Sequence, residues 1–370
     1  MESRRFRAAL LALGGVLTII AAITSPHAAW QSARQTWPPF VLVAGLLLIG
    51  LVANYDGVFA VTAGLLASIA RGRLSLYVAS MALVAGTTAL LNLDTSVAFL
   101  TPVLVTVARL RQAGEERFLY GCVFMSNAAS LLLPGSNLTN LLVIAHQQLR
   151  GSTFLSRMLL PWTVSIVVTA VVVAFAFRIR NLQSEPINQP KRPLAPLSVT
   201  ATLSAALLVL LVDQSALPVL SAALALVLAR LAQQRISLKQ IREGVDLVSL
   251  LAVFLIAVAL GTLARAWPVP GELMHHSSRI ATTVVAALAS VLVNNLPAAV
   301  LLGSGSPAHP QALLFGLNIG PNLAVTGSLS ALIWWQAARS VGARPSALRY
   351  SLVGIVLVPL TLVAVLAVSH

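Results

Sequence analysis

Four short polar segments interrupt a chain that is otherwise almost purely apolar. The segments read LNLDTS (91–96), PGSNLTN (134–140), VNNLP (293–297) and GPNLAVTGS (320–328). Their amide and hydroxyl side chains can donate hydrogen bonds to an uncharged polar solute and accept hydrogen bonds from it, and the carboxyl group of Asp94 can carry a proton. Residues of these types predict reversible binding and proton exchange, not bond cleavage.

The candidate solute-binding residues are the polar side chains of these segments and one asparagine just before the last of them. They are Asn92, Thr95, Ser136, Asn137, Thr139, Asn140, Asn294, Asn295, Asn318, Asn322, Thr326 and Ser328. The alternative role is structural, because Asn, Ser and Thr also cap helices and satisfy backbone groups where a helix is interrupted. The single cysteine, Cys122, excludes an intramolecular disulfide and a cysteine-based metal cluster. We expect no cofactor, no metal site and no enzymatic activity.

The composition predicts a membrane protein. Of the 370 residues, 58% are hydrophobic and only 9% are charged, whereas soluble domains carry about 25% charged residues. Apolar runs recur that reach the roughly 17–25 residues needed to cross a bilayer. The net charge of +14 is typical of Lys and Arg collected in cytoplasmic loops. We therefore expect an all-α polytopic protein whose partner is the lipid bilayer and not a nucleic acid.

The polar segments divide four of the apolar regions into pairs of half-length helices. Residues 74–110 and 279–304 are expected to form re-entrant helical hairpins with their tips at LNLDT and VNNLP, whereas 117–150 and 311–338 are expected to be discontinuous transmembrane helices. If the basic loops all face the cytoplasm, the two hairpins enter from opposite faces of the membrane. Ordinary spans are expected at 8–24, 39–53, 158–177, 198–213, 215–232, 245–264 and 346–368.

This order predicts inverted repeats, each with a re-entrant hairpin, a discontinuous helix and a closing span, as in secondary transporters. The expected organisation comprises N-terminal spans and an interfacial helix (57–70) over 1–73, a first repeat core over 74–180, a Pro-rich cytoplasmic linker over 181–197 and a second repeat over 198–370. We expect the protein in the inner (plasma) membrane, with its N-terminus in the cytoplasm. Irregular backbone at membrane depth is tolerated only where protein or a wet cavity surrounds it, so the polar segments are expected to face a cavity.

Asp94 is the only acidic residue that we expect at membrane depth. An ionisable side chain inside a membrane costs at least about 2.5–3.5 kcal/mol on insertion scales and is a functional-site hypothesis by default. A carboxyl group in a low-dielectric setting takes up a proton more readily than one in water, so Asp94 is the expected proton-coupling residue. The alternative is that Asp94 caps the half-helix that begins here, since Asp is a good N-cap.

With their flanking residues, the four segments resemble the ArsB-type arsenite efflux transporters of the wider ion-transporter superfamily. The likeness is carried by DTSVAFLTPVLV (94–105), NAASLLLPGSNLTNLLV (127–143), SVLVNNLPAAVL (290–301) and NIGPNLAVTGSLSALIW (318–334). SNLTN together with NNLP favours arsenite carriers over dicarboxylate carriers. The resemblance implies export of arsenite and antimonite from the cytoplasm by a secondary transporter.

The sequence departs from the family pattern at two places. The first hairpin tip in the family usually reads Asn-Asp-Gly, and here it reads Leu93-Asp94-Thr95, with the asparagine at Asn92. The second discontinuous helix in the family commonly carries an acidic residue and a lysine around its Gly-Pro, and here those places hold Asn318 and Asn322. These departures bear on the solute and the coupling stoichiometry, not on the architecture.

The implied mechanism is exchange of a neutral solute for a proton. Arsenite at neutral pH is mainly the uncharged trihydroxide, so membrane potential alone cannot drive it outward, whereas an inward proton bound at Asp94 can. Alternating access would move the hairpins and discontinuous helices against the other spans. No Walker loop is present, so ATP hydrolysis by this chain is not indicated, although the sequence leaves room for a cytoplasmic ATPase subunit as a partner.

Other functions stay open at the level of sequence. A proton- or sodium-coupled carrier of organic or inorganic anions would share the fold; no Arg or Lys lies in the polar segments to hold an anion, but helix N-termini can do so. A channel or passive facilitator is a further class, against which Asp94 and the repeated breaks favour coupled transport. A membrane enzyme would need a cluster of His, Asp or Glu at membrane depth, and the sequence shows none.

Overall fold

The structure is a computed structural model that describes residues 2–70, 72–145, 151–177, 215–244, 247–305 and 307–369, with short pieces between residues 200 and 212. Every regular element in this part of the chain is a helix. Six stretches there are long and apolar enough to cross a membrane, which confirms the expected all-α polytopic class. The expected linker 181–197, half of the residues of the expected span 198–213 and the first two residues of the span 245–264 lie outside the described residues.

The first half contains long helices, one short helix, a hairpin and a discontinuous helix. Its elements are α1 (Glu2–Thr24), α2 (Pro26–Tyr55), α3 (Val58–Ile69), the first hairpin α4 (Arg73–Leu90) and α5 (Leu93–Leu110), the first discontinuous helix α6 (Glu115–Ala129) and α7 (Leu138–Ile144), and the closing span α8 (Gly151–Ala176). A 3₁₀ turn at Pro134–Ser136 separates α6 from α7.

The second half repeats this order after two further helices. Its elements are α9 (Ala216–Ala232), α10 (Leu238–Gly244), α11 (Leu247–Ala266), α12 (Val269–His276), the second hairpin α13 (Arg279–Val293) and α14 (Asn295–Gly303), the second discontinuous helix α15 (Pro310–Ile319) and α16 (Leu329–Ser340), and the closing span α17 (Ala347–Val368). Two 3₁₀ turns, Gly320–Leu323 and Val325–Gly327, separate α15 from α16.

The two halves pack through equivalent elements. Helix α2 contacts α11, and the closing span α8 contacts α17. The second arm of the first hairpin, α5, packs on α16, and the second arm of the second hairpin, α14, packs on α7. Each hairpin therefore contacts the discontinuous helix of the other half, and this exchange brings the four breaks together.

Helix α6 lies at the centre of the core. All its residues from Arg117 to Ala129 are buried. Its rings of Tyr120 and Phe124 pack against Trp334 of α16 and Tyr350 of α17, with centroid distances of 5.4 Å from Tyr120 to Trp334 and 4.7 Å from Phe124 to Tyr350. The indole Nε1 of Trp334 donates a hydrogen bond to the carbonyl oxygen of Leu119 at 2.8 Å. Aromatic packing thus fixes the first discontinuous helix against the second half.

The boundaries of the second helix differ from the sequence prediction. The expected span 39–53 belongs to a 30-residue helix that begins at Pro26 and contains Pro38 and Pro39 in its interior. Proline in a helix removes a backbone hydrogen bond, and neighbouring helices can re-satisfy the freed groups. The following helix α3, where an interfacial segment was expected, has 12 residues and is too short to span a bilayer.

Candidate functional site

Each polar segment ends one helix and caps the next one. The four cap residues accept a hydrogen bond from a backbone N–H of the following turn, which satisfies a donor that the helix leaves free. They are Asn92, Asn137, Asn294 and Ser328, at 2.7, 3.1, 3.3 and 3.2 Å. Asn294 adopts a positive φ of 74°, a strained conformation that Asn tolerates better than most residues. The expected breaks are thus built by local capping chemistry.

A small central cavity lies where the four capped helices begin. It has a volume of about 30 Å³, which gives room for one or two water molecules. One polar side chain from each break lines it: Asp94 from the first hairpin, Asn137 from the first discontinuous helix, Asn295 from the second hairpin and Ser330 from the second discontinuous helix. The remaining lining residues are apolar: Val43, Leu93, Leu138, Leu250, Val253, Leu296 and Leu329.

The charge of the central cavity comes from one side chain. Asp94 is its only ionisable lining residue. The hydroxyl group of Ser330, which also lines the cavity, donates a hydrogen bond to Oγ of Ser328 at 3.2 Å. The N-termini of α5, α7, α14 and α16 all border the cavity. The N-terminus of a helix carries a partial positive charge, so these backbone ends partly balance the carboxylate and add N–H groups at the cavity wall.

The structure separates the two roles considered for Asp94. Asn92, not Asp94, caps α5, because the Oδ1 atom of Asn92 accepts the hydrogen bond from the backbone N–H of Thr95. The alternative expectation of a structural cap at Asp94 is therefore wrong. Asp94 lies two residues later, in the first turn, and lines the cavity.

Asn318 forms the centre of an amide cluster that joins the two discontinuous helices. Its Oδ1 atom accepts hydrogen bonds from Nδ2 of Asn137 and from Oγ of Ser130, both at 2.6 Å. Its Nδ2 atom donates to Oδ1 of Asn140 and to the carbonyl oxygen of Leu314, both at 2.8 Å. These contacts use all four hydrogen-bonding positions of the amide. The cluster is buried and uncharged, and it holds Asn137 at the edge of the cavity.

Three further predicted residues satisfy protein groups at the breaks. Asn140 donates through Nδ2 to the carbonyl oxygen of Ser130 at 2.7 Å. The hydroxyl of Ser136 donates to the carbonyl oxygen of Ala89 in the first hairpin at 3.0 Å. Asn322 accepts through Oδ1 from Asn127 Nδ2 at 2.7 Å.

Most of the twelve predicted residues do not line the central cavity. Ser136, Asn140, Asn318 and Asn322 do not line the central cavity, because their polar atoms are used in the bonds between helices described above. Thr326 is exposed, and its carbonyl oxygen accepts a hydrogen bond from Asn294 at 3.1 Å. Asn294 and Ser328 act as helix caps and do not line the central cavity. Asn137 and Asn295 are the two of the twelve that line the cavity.

Three buried polar atoms next to the lining residues have no hydrogen-bond partner within the described part of the chain. They are Nδ2 of Asn92, Oγ1 of Thr95 and Oγ1 of Thr139. Buried polar groups are normally satisfied. These atoms are therefore the remaining candidates, among the predicted residues, for contact with a solute or with water in a rearranged cavity.

Sequence reasoning missed Ser330, Ser130 and Asn127. Ser330 lies two residues beyond the last polar segment and faces the cavity from the first turn of α16. Ser130 and Asn127 lie at the end of α6, before the break, and bind the second discontinuous helix. A signal was present for Ser130, since it lies ten residues before Asn140 in the same quoted motif, but its partner Asn318 is 188 residues away in the chain.

Comparison with known proteins gives one family and a fold. A family model described as citrate transporter (CitMHS) matches residues 2–335. The structure is similar to the crystal structure of the YdaH transporter of Alcanivorax borkumensis, which was described as having an unusual topology. The TM-score is 0.58 at 12% sequence identity, and the match covers 97% of this chain and 95% of that chain. At this identity the likeness concerns the fold alone.

Proposed function

This chain belongs to the citrate transporter (CitMHS) family, and from that premise we propose that it is a proton-coupled exporter of the uncharged hydroxides of trivalent arsenic and antimony. Secondary transport across a membrane is the activity of the family. The solute, the coupling ion and the direction of transport are the proposal. The placement in the inner membrane with a cytoplasmic N-terminus is also part of it, as is a cytoplasmic ATPase subunit as an additional partner.

We choose the proposed solute from the charge of the residues that line the central cavity. The lining residues include no Arg, Lys or His that could neutralise an anion, and they do include a carboxyl group. A neutral trihydroxide offers three donors and three acceptors, which match two amides, one hydroxyl and one carboxylate. No cysteine lines the cavity, and Cys122 is buried elsewhere. A thiolate would bind arsenic(III) too tightly for release, so its absence from this wall fits transport.

Asp94 supplies the proposed coupling site. It is the only titratable group at the cavity wall, so one proton and one solute compete for the same small space. An exporter that releases its solute when Asp94 is protonated, and returns with the proton, exchanges one for the other. With one proton exchanged per solute, a gradient of one pH unit supports about tenfold accumulation, since 1.4 kcal/mol corresponds to a factor of ten.

The small volume of the cavity requires a conformational change. A space of about 30 Å³ is enough for water, and we expect the four helix ends to separate to admit a trihydroxide. The hairpins and discontinuous helices pack on one another at the centre, while α2 packs on both α9 and α11. Movement of the first set against the second would expose the cavity to each face in turn.

A second candidate is a carrier of carboxylate anions. The observation that favours it is the meeting of four helix N-termini at one cavity, because such ends attract negative charge. The description of the family as citrate transporters agrees with it. In this alternative Asp94 would bind a coupling cation that offsets the charge of the solute.

Transport by purified protein in liposomes tests the two candidates directly. With an imposed pH gradient, we expect accumulation of arsenite and antimonite, and no accumulation of arsenate or citrate. Ser330→Ala is expected to raise the KM for arsenite, because it removes one hydroxyl from the cavity wall. Uptake of citrate or another carboxylate without arsenite uptake would overturn the metalloid proposal and establish the second candidate.

A further inference from the structure

Three cavities follow one another from the central site to the edge of the described helices. The central cavity shares Val253, Leu296 and Leu329 with a second cavity of about 220 Å³. The second cavity shares Leu142 and Val300 with a third of about 400 Å³. Shared lining residues mean that each cavity is separated from the next by no more than one layer of side chains. We call this series the cavity chain.

The lining changes from apolar to polar along the cavity chain. Apart from Asn294 and Pro297, the second cavity is lined by Ala, Val, Leu, Ile and Phe side chains. The third is lined by Ser32, Gln35, Thr36, Ser304 and Arg265, among others. Of the residues that line the three cavities, Asp94 and Arg265 are the two with ionisable side chains. They lie at opposite ends of the chain of cavities.

The charge of Arg265 is held by neutral groups. Its guanidinium donates to Oε1 of Gln35 at 2.6 Å and to the carbonyl oxygen of Gly261 at 2.7 Å. No carboxylate pairs with it in the described part of the chain. These two bonds fix the side chain on the wall of the third cavity, between α2 and α11, where its positive charge acts on whatever enters. An uncompensated charge at the mouth of a low-dielectric cleft focuses its field into the cleft.

We propose that the cavity chain is the route between the central site and one membrane face, and that Arg265 selects against cations at its mouth. Neutral and anionic solutes pass Arg265, whereas metal cations and organic ammonium ions are repelled. The proposal extends the transport function but does not depend on which solute is carried. Leu142 and Val300 form the wall between the second and third cavities, so a group attached there meets every solute that uses the route.

Thiol chemistry at this wall tests both parts of the proposal without a transport assay. Val300→Cys in nanodiscs is treated with an anionic and a cationic methanethiosulfonate of similar size, and each rate is divided by the rate of the same reagent with a free thiol in water. We expect reaction with both reagents and a several-fold preference for the anionic one. Arg265→Gln should abolish the preference, and Arg265→Lys should retain it. Cys122 is buried, so the wild-type chain is the blank.

The matched control is His276→Cys. His276 precedes the same hairpin, is exposed and lines none of the three cavities, so the rates of its thiol should not depend on the residue at position 265. Leu142→Cys provides a second position on the same wall if the Val300 variant is unstable. Unreactive thiols at both positions in folded protein would overturn the route. Equal normalised rates that do not respond to Arg265→Gln would overturn the selection.

Discussion

At the first hairpin tip, two neighbouring side chains perform different tasks. Asn92 satisfies the backbone of α5 through its Oδ1 atom, and Asp94 faces the central cavity. An uncharged cap leaves the helix end independent of pH. A change in protonation therefore alters the charge at the cavity without loosening the element that carries the carboxyl group.

This division gives a defined expectation for Asp94→Asn. The amide has nearly the same size as the carboxyl group, and the cap at Asn92 is untouched. We expect accumulation driven by a pH gradient to fall to the equilibrium level, while exchange of solute down its own gradient continues. The measurement is solute uptake by liposomes with and without an imposed pH difference.

The matched control for that variant is Glu115→Gln. It makes the same chemical change at a carboxylate that pairs with Arg109 at 2.5 Å outside the cavity, and we expect uphill transport to be retained. If well-folded Asp94→Asn still accumulates solute against its gradient, Asp94 does not carry the coupling proton.

At the scale of the elements, the breaks could be predicted from the sequence and their partners could not. Asn, Asp, Gly and Pro in an apolar run interrupt a helix for local reasons, so both hairpins and both discontinuous helices were predictable. The start of α2 at Pro26 was not predictable, because proline is common at the first position of a helix and Pro38 and Pro39 lie in the interior of this one. Ser330 and the bonds of Asn318 depend on which helix faces which, and this information comes from long-range packing.

Close backbone packing holds the second break in place. A side chain at Gly354 in α17 would overlap the carbonyl group of Asn322, and Cα of Leu323 would lie 2.9 Å from the added carbon. We expect Gly354→Ala to lower the free energy of unfolding by about 1–3 kcal/mol, the usual cost of overpacking, and to reduce transport. Thermal unfolding of the purified protein, followed by size-exclusion chromatography, measures the stability.

The control for this packing argument is Gly86→Ala in the first hairpin. Nothing lies within 4 Å of an added side chain at Gly86, and Ala favours a helix over Gly by up to about 1 kcal/mol. That variant should be as stable as the wild type or more stable. Equal stability of both alanine variants would show that α17 can move away from the break without cost.

At the scale of the whole molecule, the two halves have the same order of elements and are expected to have opposite orientations in the membrane, which predicts a labelling pattern. Gly72 and Gln112 flank the first hairpin, and His276 and Ala308 flank the second. Cysteines at the first pair should react with an impermeant maleimide from one face of the membrane, and cysteines at the second pair from the opposite face. Intact cells and everted vesicles distinguish the two faces.

The labelling result has a clear contrary outcome. If Gly72→Cys and Gln112→Cys react from opposite faces, residues between them cross the membrane and the first hairpin is not re-entrant. If the two cysteines of each pair react from one face, but both pairs react from the same face, the hairpins are re-entrant and the two halves do not have opposite orientations.

The amide cluster also implies a delay during biosynthesis between the synthesis of its first residues and that of their partner. Asn137 finds its partner Asn318 only 181 residues later in the chain, and at about 5–20 residues per second a ribosome needs roughly 9–36 s to reach it. During that interval the amides of the first break lie at membrane depth without their final partners. Until the second half has been synthesised, the insertion machinery or water must therefore satisfy the amide groups of the newly synthesised first half. Completion of the site therefore requires that both halves of the chain have been made and inserted.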